Sequence, residues 1–243
     1  TVRIFEKQDG EWTVVQTIAQ NAEWWGTIPK VELNEGVLAV LFGHVGEYSS
    51  DEQLGLTLYT KADGGWTPAF SVSYNDMQGR LPDAYMALYG YEGFDLQVSA
   101  NTVMFLSRHV GRVECHAPVI AYKDGEEWNW APWDEISNGD GCPMVGHLVM
   151  DGQRLVLSYY PWDNRVSTYT WSEQTWQEMG DLDLNAEFDW QAQYLALSGD
   201  DLIMPTGDRQ LAHYRFDGEQ FEPVRTFAAN VYPYGLATDG THV

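Results

Sequence analysis

The chain has 243 residues, and its 36 Asp and Glu against 13 Lys and Arg give a net charge of −23. So acidic a chain argues against nucleic acid and anionic lipid as partners, because neutralising phosphate takes clustered cations. Disorder is excluded by a hydrophobic content of 44% and an aromatic content of 14%, and no apolar run approaches the roughly 18 residues of a membrane-inserting helix.

The opening residues, TVRIFEKQDG, already read as a strand running into a turn, which predicts no signal peptide here. Two cysteines, Cys115 and Cys142, are too few for a disulfide framework or a cysteine zinc site. Low cysteine, strong acidity and many Trp and Tyr predict a secreted, cell-surface or periplasmic protein.

In chain order, hairpins of two kinds alternate. VRIFEKQDGEWTVV (2–15) comes first, with Asp9-Gly10 at the turn, then VELNEGVLAV from 31. LTLYTKADGGWTPA (56–69) is followed by LQVSANTVMFL from 96, and VIAYKDGEEWNWAP (119–132) by HLVMDGQRLVL from 147. STYTWSEQTWQEMG (167–180) precedes LALSGDDLIM from 195, and LAHYRFDGEQFEPV (211–224) precedes GLATDGTHV from 235. The first kind alternates apolar and polar residues about a tight turn, the signature of a half-exposed hairpin. The second kind is more continuously apolar, as strands buried on both faces are.

Each outer hairpin carries a pair of rings: Phe5 and Trp12, Tyr59 and Trp66, Tyr122 and Trp128, Tyr169 and Trp176, Tyr214 and Phe221. The gap within a pair is seven residues four times and six once, and the second rings step by 54, 62, 48 and 45 residues. An inner plus an outer hairpin at that period is a four-stranded propeller blade. The expected fold is therefore all-β, a five-bladed β-propeller of four-stranded blades forming a single domain over 1–243. Strands from both termini would share the last blade, which closes the ring and removes free sheet edges. The junction, 16 residues from Asp239 round to Trp12 against 22 to 32 elsewhere, predicts native residues trimmed at an end. A pair of immunoglobulin-like sandwiches would also show many short strands, but not five ring pairs at near-constant spacing. The hairpin indoles Trp12, Trp66, Trp128 and Trp176 are read as blade packing.

VRIFEKQDGEWTVVQTI and LALSGDDLIMP resemble the outer and inner hairpin lines of the bacterial FG-GAP, integrin-like propeller repeat family. The resemblance covers nearly the whole chain and implies an extracellular recognition or adhesion role. That family often carries calcium in a D-x-D-x-D-G-like loop. The turns LNEG, SAN, MDGQ, SGDD and TDG are too short for that oxygen shell, so the family's calcium sites do not carry over.

Turns inside the hairpins are short, whereas the links between them are long and leave on the opposite face. Variable loops on a rigid scaffold are the usual recognition surface. These links collect Trp24, Trp25, Tyr85, Tyr89, Tyr91, Trp133, Trp190, Tyr232 and Tyr234 among acids such as Asp189. Rings beside carboxylates suit a saccharide or a surface protein, and the expected role is non-catalytic binding by Trp24, Trp25, Tyr91, Trp133, Asp189, Trp190 and Tyr234. The alternative is a glycoside hydrolase-like enzyme with carboxylates at the channel mouth. Asp95 and Asp189, each at the start of an inner strand, would be its catalytic pair, with Glu23 and Asp140 in equivalent links. A further alternative is a structural propeller within a larger surface protein.

Weaker patterns remain. Asp181, Asp183, Asn185 and Glu187 alternate oxygens along an extended strand and could share a cation, although a solvated acidic loop is the plainer reading. His44 and His109 repeat a His-Val-Gly in equivalent links and could meet over a metal, with turn capping the preferred role. His116 and His147 fit no pattern. Cys115 and Cys142 fall in links on one face of one blade, where a disulfide is geometrically open. No phosphate loop, dinucleotide fingerprint or nucleophile elbow is present, and no cofactor is expected.

Overall fold

The computed structural model describes residues 1–18, 30–34, 36–42, 55–62, 64–73, 76, 95–109, 115–133, 145–159, 165–182, 194–205, 209–228 and 236. They form five antiparallel sheets, each a meander in sequence order. The first sheet has two strands, β1 (Val2–Gln8) and β2 (Glu11–Ile18). The second has β3 (Lys30–Asn34), β4 (Val37–Phe42), β5 (Gly55–Ala62) and β6 (Gly65–Ser73). The third has β7 (Leu96–Val98), β8 (Thr102–His109), β9 (Cys115–Asp124) and β10 (Glu127–Pro132). The fourth has β11 (Val145–Asp151), β12 (Arg154–Tyr159), β13 (Val166–Ser172) and β14 (Thr175–Asp181). The fifth has β15 (Ala196–Ser198), β16 (Asp201–Pro205), β17 (Gln210–Phe216) and β18 (Phe221–Ala228). Every expected outer hairpin is present, as are the first four inner ones; the hairpin from 235 lies outside the described residues.

The tight turns follow from local chemistry. Asp9 (φ 52°) and Gly10 (φ 91°) both take left-handed backbone, which matches the right-handed strand twist and favours Asp-Gly. The turn between β13 and β14 takes the same shape with Glu173 (φ 52°) and Gln174 (φ 63°), where no glycine eases it. Packing of the flanking strands therefore outweighs turn propensity in the fourth sheet.

The ring pairs are the wedges between sheets. Tyr59 and Trp66 pack with Ile18, Val2 and Ile4 of the first sheet, and Trp128 packs against Val37, Leu56 and Leu58 of the second. Tyr169 and Trp176 pack with Met104, Leu106 and Ile120 of the third, and Tyr214 and Phe221 with Val149 and Val156 of the fourth. Each sheet from the second to the fifth thus turns its second ring toward the one before it. In four outer hairpins the second strand carries one extra residue opposite the first ring: the register shifts at Ile4/Phe5, Leu58/Tyr59, Thr168/Tyr169 and His213/Tyr214. A bulge at that point bends the hairpin locally and sharpens its twist.

The third sheet is the exception. There Trp128 pairs with Lys123, one residue beyond Tyr122, whereas elsewhere the second ring pairs two residues beyond the first. Because side chains alternate across a strand, one residue sends Tyr122 to the opposite face. It meets Trp171 of the following sheet at 6.0 Å between ring centroids. The single six-residue gap is this inversion.

The first hairpin differs from expectation in another way. Phe5 is 50% and Trp12 69% exposed, because they face the side on which no described sheet precedes them. Val14 in the same two-stranded sheet is exposed too, as are Val31 and Leu33 of β3 in the second.

First strands line up as neighbours, β3 beside β7, β7 beside β11 and β11 beside β15. Side chains tie these neighbours to one another's main chain. Asn34 Nδ2 donates to Val98 O (2.8 Å), Met150 N donates to Gln97 Oε1 (3.4 Å), and Gly199 N donates to Asp151 Oδ2 (2.5 Å). Sheets in serial face-to-face contact with their first strands innermost are the architecture of a β-propeller.

Candidate functional site at the innermost strand ends

The polar residues that meet across this inner row sit where the long links enter. Lys30 opens β3, Asp95 immediately precedes β7, His147 lies near the start of β11, and Tyr194 lies just ahead of β15. Strand order explains the convergence. In each meander the first strand runs from the long-link end toward the tight-turn end, so its leading residue is presented at the long-link end of the axis.

Asp95 is 6% exposed and organises the group. Its Oδ2 accepts the main-chain N–H of Leu148 at 2.9 Å and a short hydrogen bond from His147 Nδ1. Lys30 Nζ stands 3.8 Å from its Oδ1. One carboxylate therefore links three successive sheets. The His147 ring meets Tyr194 edge-on at 6.4 Å, which brings in the fifth sheet. Burial pushes the Lys30 ammonium below the usual lysine range, against the pull of Asp95 and Glu32. Burial likewise pushes the Glu32 carboxyl up, against the pull of Lys30. This end of the axis is thus partly shielded from water, where each polar contact counts for more than on an open surface.

Other expected residues fall differently. Trp133 is 5% exposed and meets Tyr169 edge-on at 5.1 Å, within the packing between the third and fourth sheets. Asp181 accepts a short bond from Ser167 Oγ and lies 3.9 Å from Arg165 Nε. Its expected companions Asp183, Asn185 and Glu187 lie outside the described residues, as do Trp24, Trp25, Tyr91, Asp189, Trp190 and Tyr234. Cys142 and His44 lie outside them too, while Cys115 opens β9 and His109 closes β8. Among the described residues, no group of three or more His, Cys, Asp or Glu is placed to hold a metal.

Lys30, His147 and Tyr194 were not singled out from the sequence, yet a signal for them exists. Aligned on the residues that open their turns (Asn34, Ser99, Asp151, Ser198 and Thr238), the inner hairpins place Lys30, Asp95, His147, Tyr194 and Tyr234 in one column, four positions earlier. The column varies in type, so pattern matching by residue identity passes over it.

A concavity of about 620 Å³ opens at the tight-turn end between the fourth and fifth sheets, lined by Asp151, Arg154, Met179, Phe216 and Glu219 among others. Arg154 is already engaged there: it lies 4.4 Å above the Phe216 ring and binds Gly199 O and Asp200 Oδ1, each at 2.5 Å. A second histidine–carboxylate pair joins His213 Nε2 to Asp201 Oδ1 at 2.5 Å, with Arg215 Nη2 on the same oxygen at 2.8 Å. Burial raises the Asp201 carboxyl, but the bonds from His213 and Arg215 outweigh it and hold the group below the usual carboxylate range.

No family model matches the chain, and no curated protein matches it. Solved structures do. The N-terminal domain of Nup159 is similar at 12% identity and a TM-score of 0.33, covering 86% of this chain and 66% of that one. The chain thus spans just under two thirds of that domain's length. CoXyl43, a GH43 β-xylosidase/α-arabinofuranosidase from a compost microbial metagenome, solved with xylotriose in a calcium-free form, is similar at 11% identity. Its TM-score is 0.38, with 81% of this chain and 76% of that one covered. Similarity this distant says nothing about activity.

Proposed function

We propose that the chain is a non-catalytic extracellular recognition module of the FG-GAP-like kind, secreted, cell-surface or periplasmic. Its sheets close into a five-bladed ring that binds a saccharide at the long-link end of the axis. The observation that carries the reading is the gathering of Lys30, Asp95, His147 and Tyr194, from four successive sheets, at the end where the aromatic links enter. Tyr234 holds the fifth place in the same sequence column. Closure is supported by the exposed apolar faces of Phe5 and Trp12 in the two-stranded first sheet and of Val31 and Leu33 in β3 of the second. The inner hairpin GLATDGTHV would complete that sheet against the free edge of β1.

A ligand with many hydroxyls fits a mixed set of a cation, an imidazole and a phenol, each able to serve one hydroxyl. Asp95 argues for binding rather than hydrolysis. A glycosidase acid must reach the glycosidic oxygen, and Asp95 is spent on Leu148 and His147. A glycan array at neutral pH tests the proposal. Saccharide binding should appear and weaken by roughly tenfold or more in Trp25→Ala or Trp190→Ala, as loss of a stacking ring does. Turnover of a polysaccharide that vanishes in Asp189→Asn would overturn it in favour of an enzyme.

A further inference from the structure

We infer that Asp95 locks His147 as the Nδ1–H tautomer, so that the opposite nitrogen, Nε2, is offered to the axial ligand as a bare hydrogen-bond acceptor for a hydroxyl. The ligand class rests on the saccharide reading above; the tautomer does not. A neutral imidazole carries its proton on either nitrogen, and the partner of one nitrogen decides which. Here the partner is a carboxyl whose Oδ2 already accepts Leu148 N–H at 2.9 Å and whose Oδ1 faces the Lys30 ammonium at 3.8 Å. Both neighbours present donors to it, and a carboxylate can only accept. The proton in the short contact with His147 therefore resides on Nδ1.

Nε2 is left with no hydrogen-bond partner among the described residues, on a side chain that is 16% exposed. A buried acceptor without a partner is costly, whereas one at the edge of solvent is available to a ligand. Tyr194 walls one side of the ring, and Lys30 supplies donors nearby at the same carboxylate. Donor and acceptor groups held on one carboxylate suit hydroxyls, each of which both gives and takes a hydrogen bond. His147 is the contacting residue in this scheme and Asp95 the positioning residue.

Correlation of the ring protons with the ring nitrogens in 15N-labelled protein, at a pH where His147 is neutral, decides the tautomer without any ligand; His147→Gln assigns the signals. The expected result is a protonated Nδ1 and a bare Nε2. A protonated Nε2, or the averaged signals of an unrestrained imidazole, would overturn the inference. If the array yields a saccharide, its titration adds a second readout. His147→Asn keeps an amide donor for Asp95 but has nothing in place of Nε2, so affinity should fall by roughly tenfold, and unchanged affinity would also overturn the inference. A blank array counts against the saccharide reading alone, with the nitrogen signals still deciding this one.

Discussion

Trp176→Ala is expected to lower the unfolding free energy by about 3–5 kcal/mol, read from the shift in urea midpoint at unchanged slope. Trp176 is 2% exposed and lies between the third and fourth sheets, 5.2 Å from the Trp171 ring and beside Met104, Leu106 and Ile120. Truncation there opens a cavity that two rigid sheets cannot collapse to fill. Its indole Nε1–H, like those of Trp66 and Trp128, is buried with no hydrogen-bond partner among the described residues. The ring therefore acts through volume alone, and Trp176→Phe should recover most of the loss. A drop of under about 1 kcal/mol for the alanine variant would place Trp176 outside the load between sheets.

Asp95→Ala should cost about 3 kcal/mol by the same measurement, and Asp95→Asn only about 1 kcal/mol. The alanine leaves Leu148 N–H buried without an acceptor and strips His147 and Lys30 of their shared partner. The amide keeps an oxygen where both hydrogen bonds to Oδ2 converge and loses only the charge facing Lys30. The difference between the two variants separates the geometric tie from the ion pair. Equal losses would mean that charge, not the hydrogen-bonded bridge, holds the three sheets together. Either variant also bears on function, because the residue that ties the sheets is the one that orients His147.

The architecture was largely legible because hairpin periodicity survives single-sequence reading. The outer hairpins begin and end within a few residues of where their strands lie, and the six-residue gap of Tyr122 and Trp128 carries the inverted ring in plain view. Asp95 was legible as a candidate from its place at the head of an inner strand, although its engagement by Leu148 N was not. That bond joins residues 53 apart in sequence, and no local pattern records it. His147 looked unremarkable because its partner lies in another sheet. Trp133 illustrates the converse: a ring in a long link looked like ligand surface, yet it is 5% exposed and packs on Tyr169. Link rings reach into the gap between sheets as readily as into solvent, and sequence alone does not tell the two directions apart.

Residue-resolved hydrogen exchange along β1 tests the central claim most directly, that the sheets close head to tail and so gather their first-strand ends about one axis. Half of the amides of Val2–Gln8 point away from β2, toward the edge where a further strand must pair if the ring closes. The account predicts that these outward amides exchange as slowly as their equivalents in β5 and β9, and that removing residues 231–243 releases them. Rapid exchange of the outward amides in the intact chain would contradict closure, and with it the shared axis on which the proposed binding site depends.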